Sequence, residues 1–117
     1  MLKFYGYKKC STCLKAEKAL EKMGKSYEFI DITEAPPAQP ALKKIIKQSG
    51  ADLRKFFNTS GVQYKELGMK DKVGTMTEAQ IVAQLAGNGR LLKRPLVTDG
   101  SKSTVGFDEA GFLKAWR

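Results

Sequence analysis

The apolar pattern changes period twice within the first 32 residues, which leaves this chain few ways to fold. "LKFYGY", Leu2 to Tyr7, alternates loosely and is rich in aromatics, as a strand does. From about Cys10 to Met23 the spacing becomes helical. Cys13, Ala16, Leu20 and Met23 share one face, Lys15, Lys18 and Lys22 lie mostly elsewhere, and Gly24 stands where glycine ends helices. "SYEFIDI", Ser26 to Ile32, returns to alternation. Strand, helix and strand within about 30 residues is the size of a βαβ unit, whose strands run parallel.

Prolines at 36, 37 and 40 then interrupt regular structure. "ALKKIIKQSG" reads as a helix burying Leu42, Ile45 and Ile46 and stopped by Gly50. "ADLRKFF" reads as a short helix that gathers Leu53, Phe56 and Phe57, and "YKELGMKDKVG" as loop or single turns. Thr77 to Gln80 carry the Thr-x-x-Gln capping box ahead of Ile81, Val82 and Leu85, and Gly87 ends that helix. "RPLVTDG" and "STVGF" form a hairpin around Asp99-Gly100, after which Asp108 caps a last helix with Phe112, Leu113 and Trp116 on one face. The order is β-α-β, a helical insert at about 35–88, then β-β-α. We therefore expect one α/β domain over residues 1–117.

A chain of 117 residues can bury a core without disulfide stapling. No apolar run is long enough to span a bilayer, and the N-terminus lacks the apolar stretch of a secretory signal. A cytoplasmic, monomeric protein without a membrane partner is the expectation. The formal charge is +9, from 21 Lys and Arg against 12 Asp and Glu. The lysines are dispersed rather than interleaved with aromatics, so they read as solvated helix faces rather than a nucleic-acid footprint. Histidine is absent, which excludes Ser-His-Asp and Cys-His catalysis and removes the commonest transition-metal ligand.

The chain has two cysteines, Cys10 and Cys13, spaced C-x-x-C at the first strand-to-helix junction. A thiolate at Cys10 would face unpaired amides and the positive end of the helix dipole, with Lys8 and Lys9 alongside, and both effects favour ionisation. Cys13 follows at the i+3 spacing that shares a face, so it could resolve a mixed disulfide formed on Cys10. Three other readings compete: a zinc site, which lacks two further Cys or His ligands; a permanent disulfide, disfavoured in a reducing compartment; and two inert thiols. No metal site is expected.

"KFYGYKKCSTCLKA", "FNTSGVQYKELG" and "LLKRPLV" together resemble the arsenate reductase (ArsC)/Spx–MgsR family across nearly the whole chain, closest to its uncharacterised C-x-x-C reductase-like branch. The resemblance implies a thioredoxin-like (glutaredoxin-like) four-stranded mixed sheet with an inserted helical subdomain. It places the reactive cysteine at Cys10, an arginine at Arg94 to pair with the thiolate or a substrate anion, and Pro95, usually cis, as a wall of the site. It implies no bound cofactor, with glutathione, glutaredoxin or thioredoxin as reductant. Glutaredoxin-coupled members hold arsenate with three arginines; here Asn58 stands at the second position and no arginine lies near the third, around Gly106, though Arg54 is close in sequence to Asn58. Spx regulators bind the C-terminal domain of the RNA polymerase α subunit through a surface around a glycine near Gly50, which also reads as a helix cap. The implied activities are a thiol–disulfide oxidoreductase or a redox-sensing regulator.

Overall fold

A computed structural model describes all 117 residues. Strand β1 (Leu2–Gly6) leads into helix α1 (Ser11–Lys22) and returns as β2 (Tyr27–Asp31), paired parallel to β1 with Phe4 opposite Phe29. The insert follows: α2 (Gln39–Ser49), a 3₁₀ turn (Leu53–Phe56), α3 (Val62–Glu66), α4 (Met69–Lys72), a second 3₁₀ turn (Val73–Thr75) and α5 (Glu78–Gly87). A third 3₁₀ turn, Gly89–Leu91, leads to β3 (Leu96–Thr98), β4 (Ser103–Val105) and α6 (Glu109–Trp116). The sheet order is β2-β1-β3-β4, with β3 antiparallel to both β1 and β4. This is the thioredoxin-like mixed sheet.

The pleat sends alternate residues of β1 and β3 into two cores. Leu2, Phe4 and Val97 pack with Cys13, Ala16, Leu20, Phe112 and Trp116, which seats α1 and α6 on one face. Tyr5 and Leu96 join Leu42, Ile45, Val82 and Leu85 on the other, so the insert covers that face.

Residues 62–75 hold more helix than their polarity suggests, in short pieces separated by Gly68, and only Met69 and Val73 there are fully buried. Pro40 does not interrupt α2 but lies in its first turn, where the missing amide costs no helical hydrogen bond. The capping box of α5 is complete: the Gln80 amide donates to Thr77 Oγ1 and the Thr77 amide donates to Gln80 Oε1. No helix is long and apolar enough to cross a membrane.

Candidate active site

The junction after β1 places Cys10 at the N-cap of α1 with extended backbone (φ −89°, ψ 118°). Its amide donates to the Tyr7 carbonyl at 3.1 Å and its carbonyl accepts from Leu14, which holds the residue outside the first helical turn. The side chain is aimed back at the helix, and Cys10 Sγ accepts from the Cys13 amide at 3.3 Å. Here sulfur fills the role that a serine or aspartate oxygen usually has at a helix start.

The two thiols are inequivalent. Cys13 is fully buried and Cys10 is half-exposed. Partial burial pushes the Cys10 thiol upward, but hydrogen bonds from the Cys13 thiol and amide, and then the Arg94 guanidinium, outweigh it, so Cys10 ionises below the ordinary thiol range. Burial pushes Cys13 up to about 12, helped by its hydrogen bond to Cys10 and the charge there. Cys10 is thus the sulfur that ionises first, and Cys13 the one that keeps its proton.

Arg94 comes from the segment just before β3, the strand that pairs with β1. The Arg94–Pro95 peptide is cis and Pro95 is buried. The Arg94 guanidinium lies 5.5 Å from the centre of the Tyr7 ring. Asp31, at the end of β2, accepts from the Thr33 hydroxyl at 2.6 Å and the Thr33 amide at 2.9 Å; these bonds, with a smaller contribution from Arg94, hold its carboxyl below the usual carboxylate range. Lys8 behaves differently from the expectation. Its ammonium is 3.8 Å from the Glu17 carboxylate and 4.0 Å above the Phe29 ring, so much of its charge is answered by Glu17. The cation that favours the Cys10 thiolate is Arg94.

A cleft of about 370 Å³ opens beside Arg94, with Tyr7, Thr33, Asn58, Gln63, Glu66 and Arg90 on its walls. Backbone bonding brings these together: Asn58 donates to Leu91 at 2.7 Å and Lys93 donates to Phe56 at 2.7 Å, tying the insert to the segment that ends at Arg94. Arg54 is not in this cleft; it lies in a separate depression with Asp52, Lys55 and Lys93. At Gly106 the Lys93 side chain takes the space, and a Cβ there would lie 2.9 Å from its Cε. Sequence reasoning missed Arg90, whose spacing of four from Arg94 was its only signal. Gly50 sits away from all this, exposed at the α2 C-cap in the left-handed region (φ 67°). No three of Cys, Asp and Glu converge as a metal-holding cluster.

Residues 5–115 match the family model for the ArsC family. The chain belongs to the ArsC family. Its similarity to the uncharacterised protein YusI of Bacillus subtilis is 51% identity, covering 98% of each chain. A solved ArsC family related protein from Bacteroides fragilis superposes with a TM-score of 0.93 at 44% identity, covering 97% of this ArsC-family chain and 95% of that one. The regulatory protein MgsR of Bacillus subtilis is 24% identical, covering 97% of this chain and 88% of its own.

Proposed function

We propose that this ArsC-family protein is a thiol–disulfide oxidoreductase in which Cys10 is the nucleophile and Cys13 the resolving thiol. One observation carries the reading: Cys10 Sγ caps α1 by accepting from the Cys13 amide, half-exposed and with Arg94 favouring its anion. A low-pKa, accessible sulfur is what disulfide attack requires. The Cys10 thiolate attacks a substrate disulfide RS–SR′, forming Cys10–S–S–R and releasing R′S⁻. Two influences that keep the Cys13 proton in place, its hydrogen bond to Cys10 and the negative charge there, vanish once Cys10 is in a mixed disulfide. Cys13 then loses its proton more readily and attacks Cys10, expelling RS⁻ and leaving a Cys10–Cys13 disulfide. Two electrons from a small thiol such as glutathione, or from glutaredoxin or thioredoxin, return the pair to the dithiol. In this reading the buried Pro95 is a wall of the site. Arsenate is not the substrate proposed, because a single arginine of the three-arginine clamp is retained.

The test is mass spectrometry of the thiols after a small disulfide is added to the wild type and to Cys13→Ala. The expected outcome is an intramolecular disulfide in the first and a trapped Cys10 adduct in the second. An unmodified Cys10 in both would reject the reading.

The similarity to MgsR favours a second reading, in which the same pair is a sensor and a surface near Gly50 meets the RNA polymerase α subunit. A chemical-shift titration with the C-terminal domain of that subunit separates the two: perturbations confined to residues 40–60 would support the regulator, and their absence would remove it.

A further inference from the structure

A separate cleft of about 260 Å³ opens near the start of β1, where Lys3, Tyr5 and Thr98 of the sheet meet Ala41, Lys44 and Gln48 of α2. Lys3 and Thr98 are directly opposite in the β1–β3 ladder, so their side chains share the face that Tyr5 also presents. On α2, Ala41, Lys44, Ile45 and Gln48 follow the i, i+3, i+4, i+7 spacing of a single helix face. Hydrogen bonds fix the wall on the hairpin side. Gln48 donates to the Gly100 carbonyl at 2.8 Å and accepts from the Ser103 hydroxyl at 2.9 Å. Asp99 Oδ1 accepts from the Ser101 and Lys102 amides, each at 2.8 Å.

Tyr5 is the group here that the fold leaves unused. The residue is 8% exposed and its ring belongs to the insert-side core, yet its hydroxyl makes no hydrogen bond to the rest of the chain. No side-chain oxygen sealed from solvent lacks a partner, so this hydroxyl reaches solvent through the cleft that Tyr5 lines. Burial, and then the charge of Glu28, raise Tyr5 above the ordinary tyrosine range, so it holds a proton to donate at neutral pH. Beside it stand the exposed Lys3 and Lys44. The chain's one ion pair joins Lys8 to Glu17, so neither of these ammoniums is engaged in another. Asp99 is the one acid on the lining, and its carboxylate already accepts from two amides. Two ammoniums and a phenol donor select an anion, and Asp99 at the rim favours a single charge over several. Ala41, Ile45 and the Tyr5 ring add apolar surface from which a bare ion gains nothing. The volume falls below the range of about 300–1,000 Å³ usual for drug-sized ligands, so the occupant is no larger than one ring or a short chain.

We infer that Tyr5, Lys3 and Lys44 form a second ligand site, distinct from the Cys10 site, for a small monocarboxylate with a compact apolar body. The carboxylate accepts from the Tyr5 hydroxyl and pairs with the two lysines, while the apolar body lies on Ala41 and Ile45. The site does not depend on the chemistry of Cys10.

The test is an amide chemical-shift titration of the full chain with benzoate at constant ionic strength, with acetate, benzamide and benzylamine as comparison probes. Benzoate should give saturable shifts at Lys3, Tyr5, Lys44, Gln48 and Thr98 with a Kd on the order of 1 mM, as suits a one-ring ligand. Acetate lacks the apolar body and benzamide the charge, so each should bind about tenfold more weakly, and the cation benzylamine should not shift these residues. Tyr5→Phe keeps the ring in the core and loses only the hydroxyl; it should weaken benzoate about tenfold, the size of one hydrogen bond to a charged group. Lys44→Gln should weaken it about threefold, as for an exposed ion pair. Lys72→Gln makes the same change in net charge at an exposed position on α4 and should change the Kd less than twofold. Should Tyr5→Phe lose its native spectrum, the contrast between Lys44→Gln and Lys72→Gln decides the matter alone. Shifts spread evenly over exposed lysines, equal binding of benzoate and acetate, a Kd in folded Tyr5→Phe within twofold of wild type, or no shift at the named residues would overturn the site.

Discussion

Cys10 and Cys13 are the same residue type three positions apart, yet their surroundings drive their titrations in opposite directions. The first is half-exposed, accepts from an amide and faces a guanidinium; the second is sealed against the Phe4–Gly6 segment of β1. Because Cys10 ionises below the ordinary thiol range, its alkylation rate by iodoacetamide should level off at lower pH than that of a free cysteine. Replacing Arg94 by Ala removes a favourable partner of the anion, so the plateau should shift to higher pH and the rate at pH 7 should fall about fivefold, allowing for solvent screening at an exposed sulfur. An unchanged profile would show that Arg94 does not act on the thiolate. The cysteine positions were legible as a pair. Their place at the helix start already favoured Cys10 as the more acidic sulfur; the depth at which Cys13 is buried is what spacing does not encode.

At the scale of elements, the insert matters because it is laced to the segment carrying Arg94. The bridge between Phe57 and Leu92 and the short backbone bonds around it bring Asn58, Arg90 and Arg94 onto one cleft. Gly89 makes this closure possible, since any side chain there meets backbone rather than a yielding side chain. Gly89→Ala should therefore cost about 3 kcal/mol in urea unfolding, at the upper end for overpacking, because the carbonyl it meets belongs to the chain leaving β2. A loss under about 0.5 kcal/mol would mean that the turn is free to move aside. Helix ends were readable from sequence wherever a cap was chemically explicit, as at Thr77–Gln80 and Asp108. Residues 62–75 were not, because so few of their side chains reach the core that no apolar period survives.

Viewed as a whole molecule, several buried protons make the fold sensitive to alkali. Burial raises Cys13 from an ordinary 9.0 to about 12, so the unfolded chain gives up this proton first. Its contribution to stability is complete below about pH 9 and drains away as pH rises toward 12. Tyr27 acts in the same direction, raised by burial and then by its hydrogen bond to Glu17. Cys10 has the opposite sign, and its contribution is lost as pH falls through its lowered folded value. Stability measured by urea between pH 8 and 11 should therefore decline, and Cys13→Ala should make that decline shallower. An identical slope in the variant would place the alkaline sensitivity elsewhere.

The amino-acid order by itself determined the β-α-β opening, the return to strands after the insert, the placement of the cysteine pair at a helix start, and the pairing of Arg94 with Pro95. All of these depend on residues near one another in the chain, where apolar period, caps and glycine stops act directly. Only the tertiary structure decided that Cys13 is sealed in the core, that Lys8 is engaged by Glu17, that Arg54 faces a different depression, and that Arg90 joins Arg94. Those outcomes depend on burial and on charges brought close from distant segments, and both arise only when the insert closes against the sheet.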